Sequence, residues 1–343
     1  MKVFEDYDLI ELNTFGVPAR ARFFTELASV DDITELFAAS VFKENEKLFL
    51  GGGSNVLFTK DFNGLVILNK LKGIEVMEEN QNEVLVKAMS GGIWHDLVEF
   101  CVGRGYWGIE NLALIPGTVG ATPVQNIGAY GAELASTLDS VEAIEIETGK
   151  KVLLNKEECE LGYRDSIFKS RLKGKFFIVA VVLKLNKTPY INITYKVLAQ
   201  YLEEHKIEVK GPQDISDAVS AIRKSKLPDQ KVIGNAGSFF KNVFVDSKKL
   251  SELLETYPGI PSFEEDGVVK IPAGWLIEQC GPSDGISWKG YKKGSVGVHE
   301  KQALVLVNHG GATGMEIKEL ATQIINSVSQ KFGLILTPEV NLI

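Results

Sequence analysis

The sequence predicts an α+β protein of more than one domain, and three observations carry that expectation. At 343 residues the chain exceeds the ~150 of an average domain. Its hydrophobic share of 45% and charged share of 24% are those of a chain with packed cores. Strand-like and helix-like segments alternate through the first third, and a long glycine-rich stretch interrupts the middle. The 33 glycines and 11 prolines follow no period, which excludes a collagen-like or disordered chain.

Charge and composition narrow the function classes. A net charge of -8 and a pI of 5.3 make a poor non-specific binder of phosphate backbones, so nucleic acid is not an expected partner. A local basic pocket for a phosphorylated small molecule stays compatible with that charge. The longest strongly apolar run, 176–183, is far shorter than the ~20 residues needed to span a bilayer. The first residues, MKVFEDYDLIELNTF, lack an apolar core followed by a cleavage site, so a cytoplasmic location is expected. Cys101, Cys159 and Cys280 stand far apart and read as free, buried or half-buried thiols. His95, His205, His299 and His309 show no zinc-like spacing, and no metal is expected.

The elements follow in order. Residues 29–42 open with capping-type residues and place Ile33, Leu36 and Phe37 on one helical face. Residues 47–50, 65–68 and 84–86 read as strands, the first running straight into Gly51-Gly52-Gly53-Ser54-Asn55. A helix is expected over 93–102, with Leu97, Val98 and Cys101 on one side. Residues 103–131 form a long irregular stretch, which inside a compact domain is usually functional. Residues 141–146 and 151–154 flank Glu147-Thr148-Gly149-Lys150 as a hairpin, and 176–185 is a strong strand. A short amphipathic helix over 214–224 and another over 248–257 follow. The clearest helix, 316–332, carries a stripe of Ile317, Leu320, Ala321, Ile324, Ile325 and Val328 and stops at Gly333. The chain ends in an apolar, strand-like tail.

Several motifs have the residue types that chemistry needs, each beside a plainer reading. Gly51 to Asn55 can lay backbone N–H groups against a phosphate, or can be only a tight turn. It is neither G-x-G-x-x-G nor a P-loop. The second glycine-rich stretch, from Ile115 to Gly131, can place donors along a pyrophosphate or a flavin edge. Two such loops together favour a dinucleotide without saying which. Arg164, in Tyr163-Arg164-Asp165-Ser166, is a permanent cation or half of a surface ion pair. Ser238, among small residues and two phenylalanines, is expected exposed on a sharp turn, outside any G-x-S-x-G context. Glu339 lies in an apolar tail that raises a carboxyl pKa unless it is paired, or it sits exposed at a strand end.

Taken in order, LNTFGVPARA (12–21), GGGSN (51–55), IPGTVGATPVQNIGAYG (115–131), YRDS (163–166), KLPD (226–229), GNAGSFFKN (234–242), AGWLIEQCG (273–281) and the terminal PEV (338–340) resemble the flavin-dependent UDP-N-acetylenolpyruvoylglucosamine reductase (MurB) family of peptidoglycan synthesis. The resemblance covers nearly the whole chain. It implies a two-part FAD-binding unit of the PCMH/vanillyl-alcohol-oxidase-like type, followed by a C-terminal α+β substrate-binding domain. The implied parts are 1–70 with 328–343, then 71–226, then 227–327, with the PCMH-type region at about 16–187. FAD contacts are implied for Gly51, Gly52, Gly53, Ser54 and Asn55. In the second loop they fall on Ile115, Pro116, Gly117, Thr118, Gly120, Ala121, Asn126, Gly128, Ala129 and Tyr130. GGGSN has no histidine where related oxidases often attach their flavin, so the FAD is expected to be non-covalent.

The resemblance also assigns chemistry. Arg164, Ser238 and Glu339 match catalytic positions; Tyr195, Lys226, Asn242 and Gln302 match substrate positions, and ITYKVL (193–198) points to the branch with an extra substrate loop. NADPH is the implied hydride donor, and hydride adds to C3 of the enolpyruvyl group, leaving negative charge at C2. Arg164 would stabilise that charge, Ser238 would donate the proton, and Glu339 would assist. The departures are Ala121-Thr122 for Gly-Ala, Val243 for the proline after SFFKN, and Asn341 for the arginine after PEV. The expected partners are the UDP-sugar and NADPH, with no nucleic acid and no membrane, acting on a monomer. Two rivals are a flavin oxidase of the same superfamily and a non-catalytic UDP-sugar-binding protein. The missing attachment histidine and the GNAGSFFKN stretch oppose the first, and the presence of Arg164, Ser238 and Glu339 opposes the second.

Overall fold

The computed structural model describes residues 1–265 and 267–343. The chain divides into two compact units. The first comprises Met1–Tyr7, Ala21–Gly52 and Asn63–Ser225; the second comprises Asp8–Arg20, Gly53–Phe62 and Lys226–Ile343.

The chain begins with β1 (Phe4–Asp8), β2 (Arg20–Leu27), α1 (Val30–Ala38), α2 (Ser40–Glu44) and β3 (Lys47–Leu50). After β4 (Val56–Leu57) come β5 (Phe62–Asn69), β6 (Ile74–Glu79), β7 (Glu83–Met89) and α3 (Trp94–Val102). Four strands form a sheet in the order β1-β2-β5-β3, with β3 parallel to β5. Ser29 caps α1 through a reciprocal pair of bonds with Asp32, which satisfies donors that the first turn would otherwise leave open. The helix expected over 29–42 is in fact two. Ala39 is extended between them, and the break lets Phe42 bury itself and stack on Phe37 with ring centroids 4.7 Å apart. Leu27, Ile33, Leu36, Leu65 and Ile67 complete that core.

The second sheet of the first unit has five strands. The small pair β8 (Gly128–Ala129) and β9 (Ala132–Glu133) precedes β10 (Leu138–Glu145), β11 (Lys151–Asn155) and β12 (Phe176–Asn186). The order β11-β10-β12-β7-β6 is antiparallel throughout and makes β12 the central strand. A central strand is covered on both faces, and β12 therefore buries a continuous run from Phe177 to Leu183. Each such aliphatic side chain contributes roughly 1.5–3 kcal/mol by leaving water. The 147–150 hairpin forms as expected, whereas β1, β2 and β6 carry no alternation strong enough to have been anticipated. α4 (Lys196–Glu204) and α5 (Pro212–Lys226) pack Leu198, Leu202, Ile215, Val219 and Ile222 into the core that β12 and α3 share. At 15 residues α5 is longer than the short helix expected at 214–224.

The second unit contains β13 (Val243–Val245), α6 (Ser247–Thr256), β14 (Phe263–Glu265), β15 (Val268–Ile271) and α7 (Ala273–Glu278). After them come β16 (Lys292–Lys293), β17 (Val296–Val298), β18 (Leu306–Asn308), α8 (Gly314–Phe332) and β19 (Asn341–Leu342). Two three-stranded sheets run β13-β15-β14 and β16-β17-β18. Thr313 and Glu316 form a capping box at α8, and Gly333 ends it in a left-handed cap. The expected stripe is buried except at Ile325, which is half-exposed. The tail after α8 is strand only at β19, which lies parallel to β4; residues 334–337 form neither strand nor helix. No helix among the described residues is long and apolar enough to cross a membrane.

All three cysteines are free and buried. Burial pushes the Cys101 and Cys159 thiols up to about 12 and raises Cys280 as well, because a thiolate loses its hydration there. Iodoacetamide at pH 8 should therefore label the native protein slowly and the urea-unfolded protein quickly at all three positions, as peptide mass spectrometry would read. Rapid native labelling of Cys101 would mean that the α3 core opens far more often than its packing implies.

Candidate active site

In the first unit, two glycine-rich segments meet. A Cβ on Gly52 would lie 3.2 Å from Gly117 Cα, and one on Gly51 would collide with Thr118 Oγ1. Only glycine allows the 51–52 and 117–118 backbones to approach this closely. The second segment is itself anchored on the turn that leads into α3. Trp94 N donates to Gly117 O at 3.1 Å, Val119 N to Gly92 O at 2.9 Å and Gly120 N to Ser90 O at 2.8 Å. Thr122, one of the departures, is buried and donates its hydroxyl to Val119 O at 2.7 Å, while Ala121 is exposed. Ile115 and Pro116 lead into this segment, half-buried and exposed respectively.

Arg164 is held by the loop that follows. Its Nη2 donates to Gly128 O at 2.7 Å and its Nη1 to Asn126 O at 3.4 Å. A Cβ on Gly128 would stand 2.9 Å from Nη1, so glycine at 128 makes room for the guanidinium. Arg164, Asn126, Tyr130 and Leu114 all have left-handed backbones, with φ of 51, 42, 49 and 55°. Such backbones are costly for non-glycine residues and persist where surrounding bonds over-determine them. Asn126 supplies many of those bonds. Its amide donates to Glu133 Oε2 and Gly162 O and accepts from Ala135 N, at 2.9–3.0 Å. The side chain of this expected cofactor residue is thus spent on the loop itself. Ser166 is buried and donates to Val124 O at 2.7 Å. Arg164 and Ser166 of YRDS are therefore bonded to the loop backbone.

Tyr130 presents its ring edge-on to Tyr195, with centroids 5.4 Å apart at 74°. Burial raises the Tyr130 hydroxyl pKa, with Arg223 opposing and Tyr195 adding to the shift. Arg223, on α5, was not foreseen from the sequence. Burial lowers its guanidinium pKa below the ordinary value, Tyr130 opposes that shift, and Arg164 adds to it by repulsion. Its Nε is buried without a hydrogen-bond partner. Two arginines within electrostatic reach of each other, one with an open buried donor, make a place for an anion. The signal available in the sequence was an arginine next to the buried stripe of an amphipathic helix, which is too common to single out.

In the second unit, Phe239, which follows Ser238, is fixed by backbone bonds on both sides. Phe239 N donates to Leu304 O at 2.8 Å, and Glu339 N donates to Phe239 O at 2.8 Å. Ser238 bridges Val305, and Phe240 bridges Pro338. Phe239 and Phe240 are both buried, and Phe239 packs against Phe15. Asn235 accepts from Gly237 N at 3.0 Å and shapes the turn before the serine. Ser238 is half-buried and not fully exposed as expected, because residues 304–305 and the tail flank its segment. Asn55 Nδ2 donates to Glu339 O at 3.4 Å, and Asn341 donates to Asn55 O at 3.0 Å from its backbone and 2.9 Å from its side chain. Asn341, where an arginine was expected, thus ties the tail to the end of GGGSN. Gly53 O accepts from Thr14 N at 3.1 Å, and Ser54 is half-buried.

Asn242 and Gln302 converge on the start of α7. Asn242 Oδ1 accepts from Ala273 N at 3.1 Å, and Gln302 Oε1 would lie 3.4 Å from a Cβ on Gly274. Ser238, Asn242, Gln302 and Glu339 therefore share one region of the second unit. Lys226, the last residue of α5, is exposed.

The chain resembles known proteins along its whole length. It is 48% identical over 344 residues to the UDP-N-acetylenolpyruvoylglucosamine reductase of Amoebophilus asiaticus, covering 100% of both chains. It is 45% identical over 344 residues to that of Porphyromonas gingivalis, again covering 100% of both. Residues 228–343 match the family described as UDP-N-acetylenolpyruvoylglucosamine reductase, C-terminal domain, and residues 21–154 match FAD binding domain. The crystal structure of the Thermus caldophilus reductase superimposes with a TM-score of 0.68 at 22% identity, covering 99% of this chain and 98% of that one, which supports the fold. The fold is a two-part FAD-binding unit of the PCMH-like type with a C-terminal α+β domain.

The residues present fit FAD. The glycine cradle at 51–52 and 117–118 and the unpartnered Arg223 Nε suit a group that carries phosphates and an electron-rich ring. Gly51→Ala should raise the FAD dissociation constant by roughly tenfold or more, since the added methyl displaces Thr118. Gly211→Ala, where no atom lies within 4 Å of the added carbon, serves as the control. Flavin fluorescence on titration into apoprotein reads both, and equal affinities would remove the cradle from the FAD site.

Proposed function

The chain belongs to the UDP-N-acetylenolpyruvoylglucosamine reductase family, and on that premise we propose the part each site residue plays in its reaction. The protein is an oxidoreductase of peptidoglycan synthesis. It reduces the enolpyruvyl double bond of UDP-N-acetyl-3-O-(1-carboxyvinyl)-glucosamine and yields UDP-N-acetylmuramate. FAD, reduced by NADPH, supplies the hydride.

Hydride addition at C3 leaves negative charge at C2 that spreads into the adjacent carboxylate. Arg164 stabilises this charge. Support comes from the two backbone carbonyls that hold its guanidinium, because a cation oriented beforehand needs no reorganisation when charge develops. Arg223 adds a second cation to the same neighbourhood. Ser238 delivers the proton to C2. A hydroxyl is a weak acid, so it serves only when held still and opposed to a strongly basic carbon. Glu339 assists on the enolate side, next to the serine. The observation that carries this reading is the bond from Glu339 N to Phe239 O, which joins the backbone of the tail to the serine segment.

Tyr195, Lys226, Asn242 and Gln302 bind the UDP-sugar, with the Tyr195 hydroxyl and the Lys226 ammonium suited to diphosphate oxygens. The FAD contacts are those of the two glycine-rich loops, Ala129 among them, and the flavin is non-covalent. The domain division is 1–70 with 328–343, 71–226 and 227–327. The protein works as a monomer in the cytoplasm.

The reaction separates into NADPH-driven flavin reduction and flavin reoxidation by the UDP-sugar. Only the second needs a proton delivered to carbon. Ser238→Ala should leave the first near normal and slow the second by about 10²–10⁴-fold, and Ser238→Cys should recover part of the loss. Anaerobic stopped-flow absorbance measures each half. A defect in the NADPH half, or in neither, refutes the proton-donor role.

A further inference from the structure

Residues 187–195 form neither strand nor helix, yet they carry Tyr190, Ile191, Ile193 and Tyr195 exposed to solvent. The stretch is anchored at its start by Lys187 N donating to Asn82 O at 2.7 Å and at its end by α4, whose Leu198 and Leu202 are buried. Between these anchors the bonds concentrate on Asn192. Its Nδ2 donates to Gly131 O at 2.9 Å, and its Oδ1 accepts from the Thr194 hydroxyl at 2.8 Å. Its backbone carbonyl accepts from Asn111 Nδ2 at 2.9 Å. The same Asn111 amide, fully buried, donates to Tyr130 O at 2.8 Å. Its neighbour Glu110 is a buried carboxylate that accepts from Gly108 N at 2.6 Å.

One buried amide therefore ties the Tyr130 turn to residue 192 from beneath, and the Asn192 side chain closes the same connection from above. Tyr195 follows three residues later with its ring against Tyr130. We propose that Asn192 is a positioning residue, a latch that holds Tyr195 beside Tyr130 before the UDP-sugar arrives. The proposal rests on the reading of Tyr195 as a substrate residue and adds how that residue is set in place. A latched segment is already ordered when substrate binds. An unlatched one is competent for only a fraction of the time, and the apparent substrate affinity falls by that fraction.

Asn192→Asp keeps the oxygen that accepts from Thr194 and replaces the donor to Gly131 O with an anionic acceptor. In the holoenzyme it should raise KM for the UDP-sugar roughly five- to tenfold, the range expected for losing one partly exposed hydrogen bond. KM for NADPH and the rate of NADPH-driven flavin reduction should stay unchanged, a split that general destabilisation would not produce. Hydrogen exchange of peptides covering 187–195, measured without UDP-sugar, should quicken, and Asn192→Gln, which restores an amide, should recover part of both effects. Tyr195→Phe is measured alongside. A raised KM in Tyr195→Phe with an unchanged KM in Asn192→Asp overturns the latch alone. An unchanged KM in both overturns the latch together with the substrate role of Tyr195. Unaltered exchange over 187–195 in Asn192→Asp overturns the latch whatever the kinetics show.

Discussion

The peptide of Phe239 is bonded on both sides, through its N–H to Leu304 O and through its C=O to the Glu339 amide. The segment that carries Ser238 depends on that arrangement. It gives Ser238 a backbone with no freedom to drift, and it draws the tail in beside the serine. The buried rings of Phe239 and Phe240 lock the segment from below, since neither can leave without exposing a large apolar surface. A serine used as an acid has little intrinsic driving force, and a fixed position is what the fold can add.

The first unit solves a comparable problem with different means. Its loop at 126–131 contains two left-handed non-glycine residues, and Arg164 is a third close by. Left alone, such backbones would relax. They are retained because Asn126 spends its whole amide on Glu133, Gly162 and Ala135, and because Ser166 and Arg164 bond to loop carbonyls. The strain is offset by a dense set of short bonds, and the result is a guanidinium whose direction is set before any ligand is present. Arg223 raises the stakes. A cation near another cation is unfavourable by itself, so the neighbourhood is better suited to an anion than to water or apolar groups.

What could be read in advance and what could not divides by the range of the interaction. The stripe and stop of α8, the capping residues of α1, the 147–150 hairpin and the central strand β12 were all legible, because each is decided by residues a few positions apart. The glycine-rich motifs were legible for the same reason. The break at Ala39 was not, since nothing local forbids a continuous helix; it occurs because Phe42 finds Phe37 and the core. The tail looked like a strand from its apolar run, but only two residues find a partner strand.

The sequence by itself determined which chemistry-bearing residue types exist and in what local setting: Arg164 in a polar turn, Ser238 among small residues, Glu339 near an apolar end, glycines where backbones must approach. Only the tertiary structure decided what those residues face. Asn55 meets Glu339 across 284 positions, Asn111 meets Asn192 across 81, and Arg164 meets Gly128 across 36. Asn126 turned out to serve the loop, and the Nε of Arg223 turned out to be buried without a hydrogen-bond partner. Short-range preferences fix the backbone of a segment because they act within one or two turns of chain. Burial, pairing and electrostatic surroundings come from segments that are distant in sequence, and they exist only once the chain has packed.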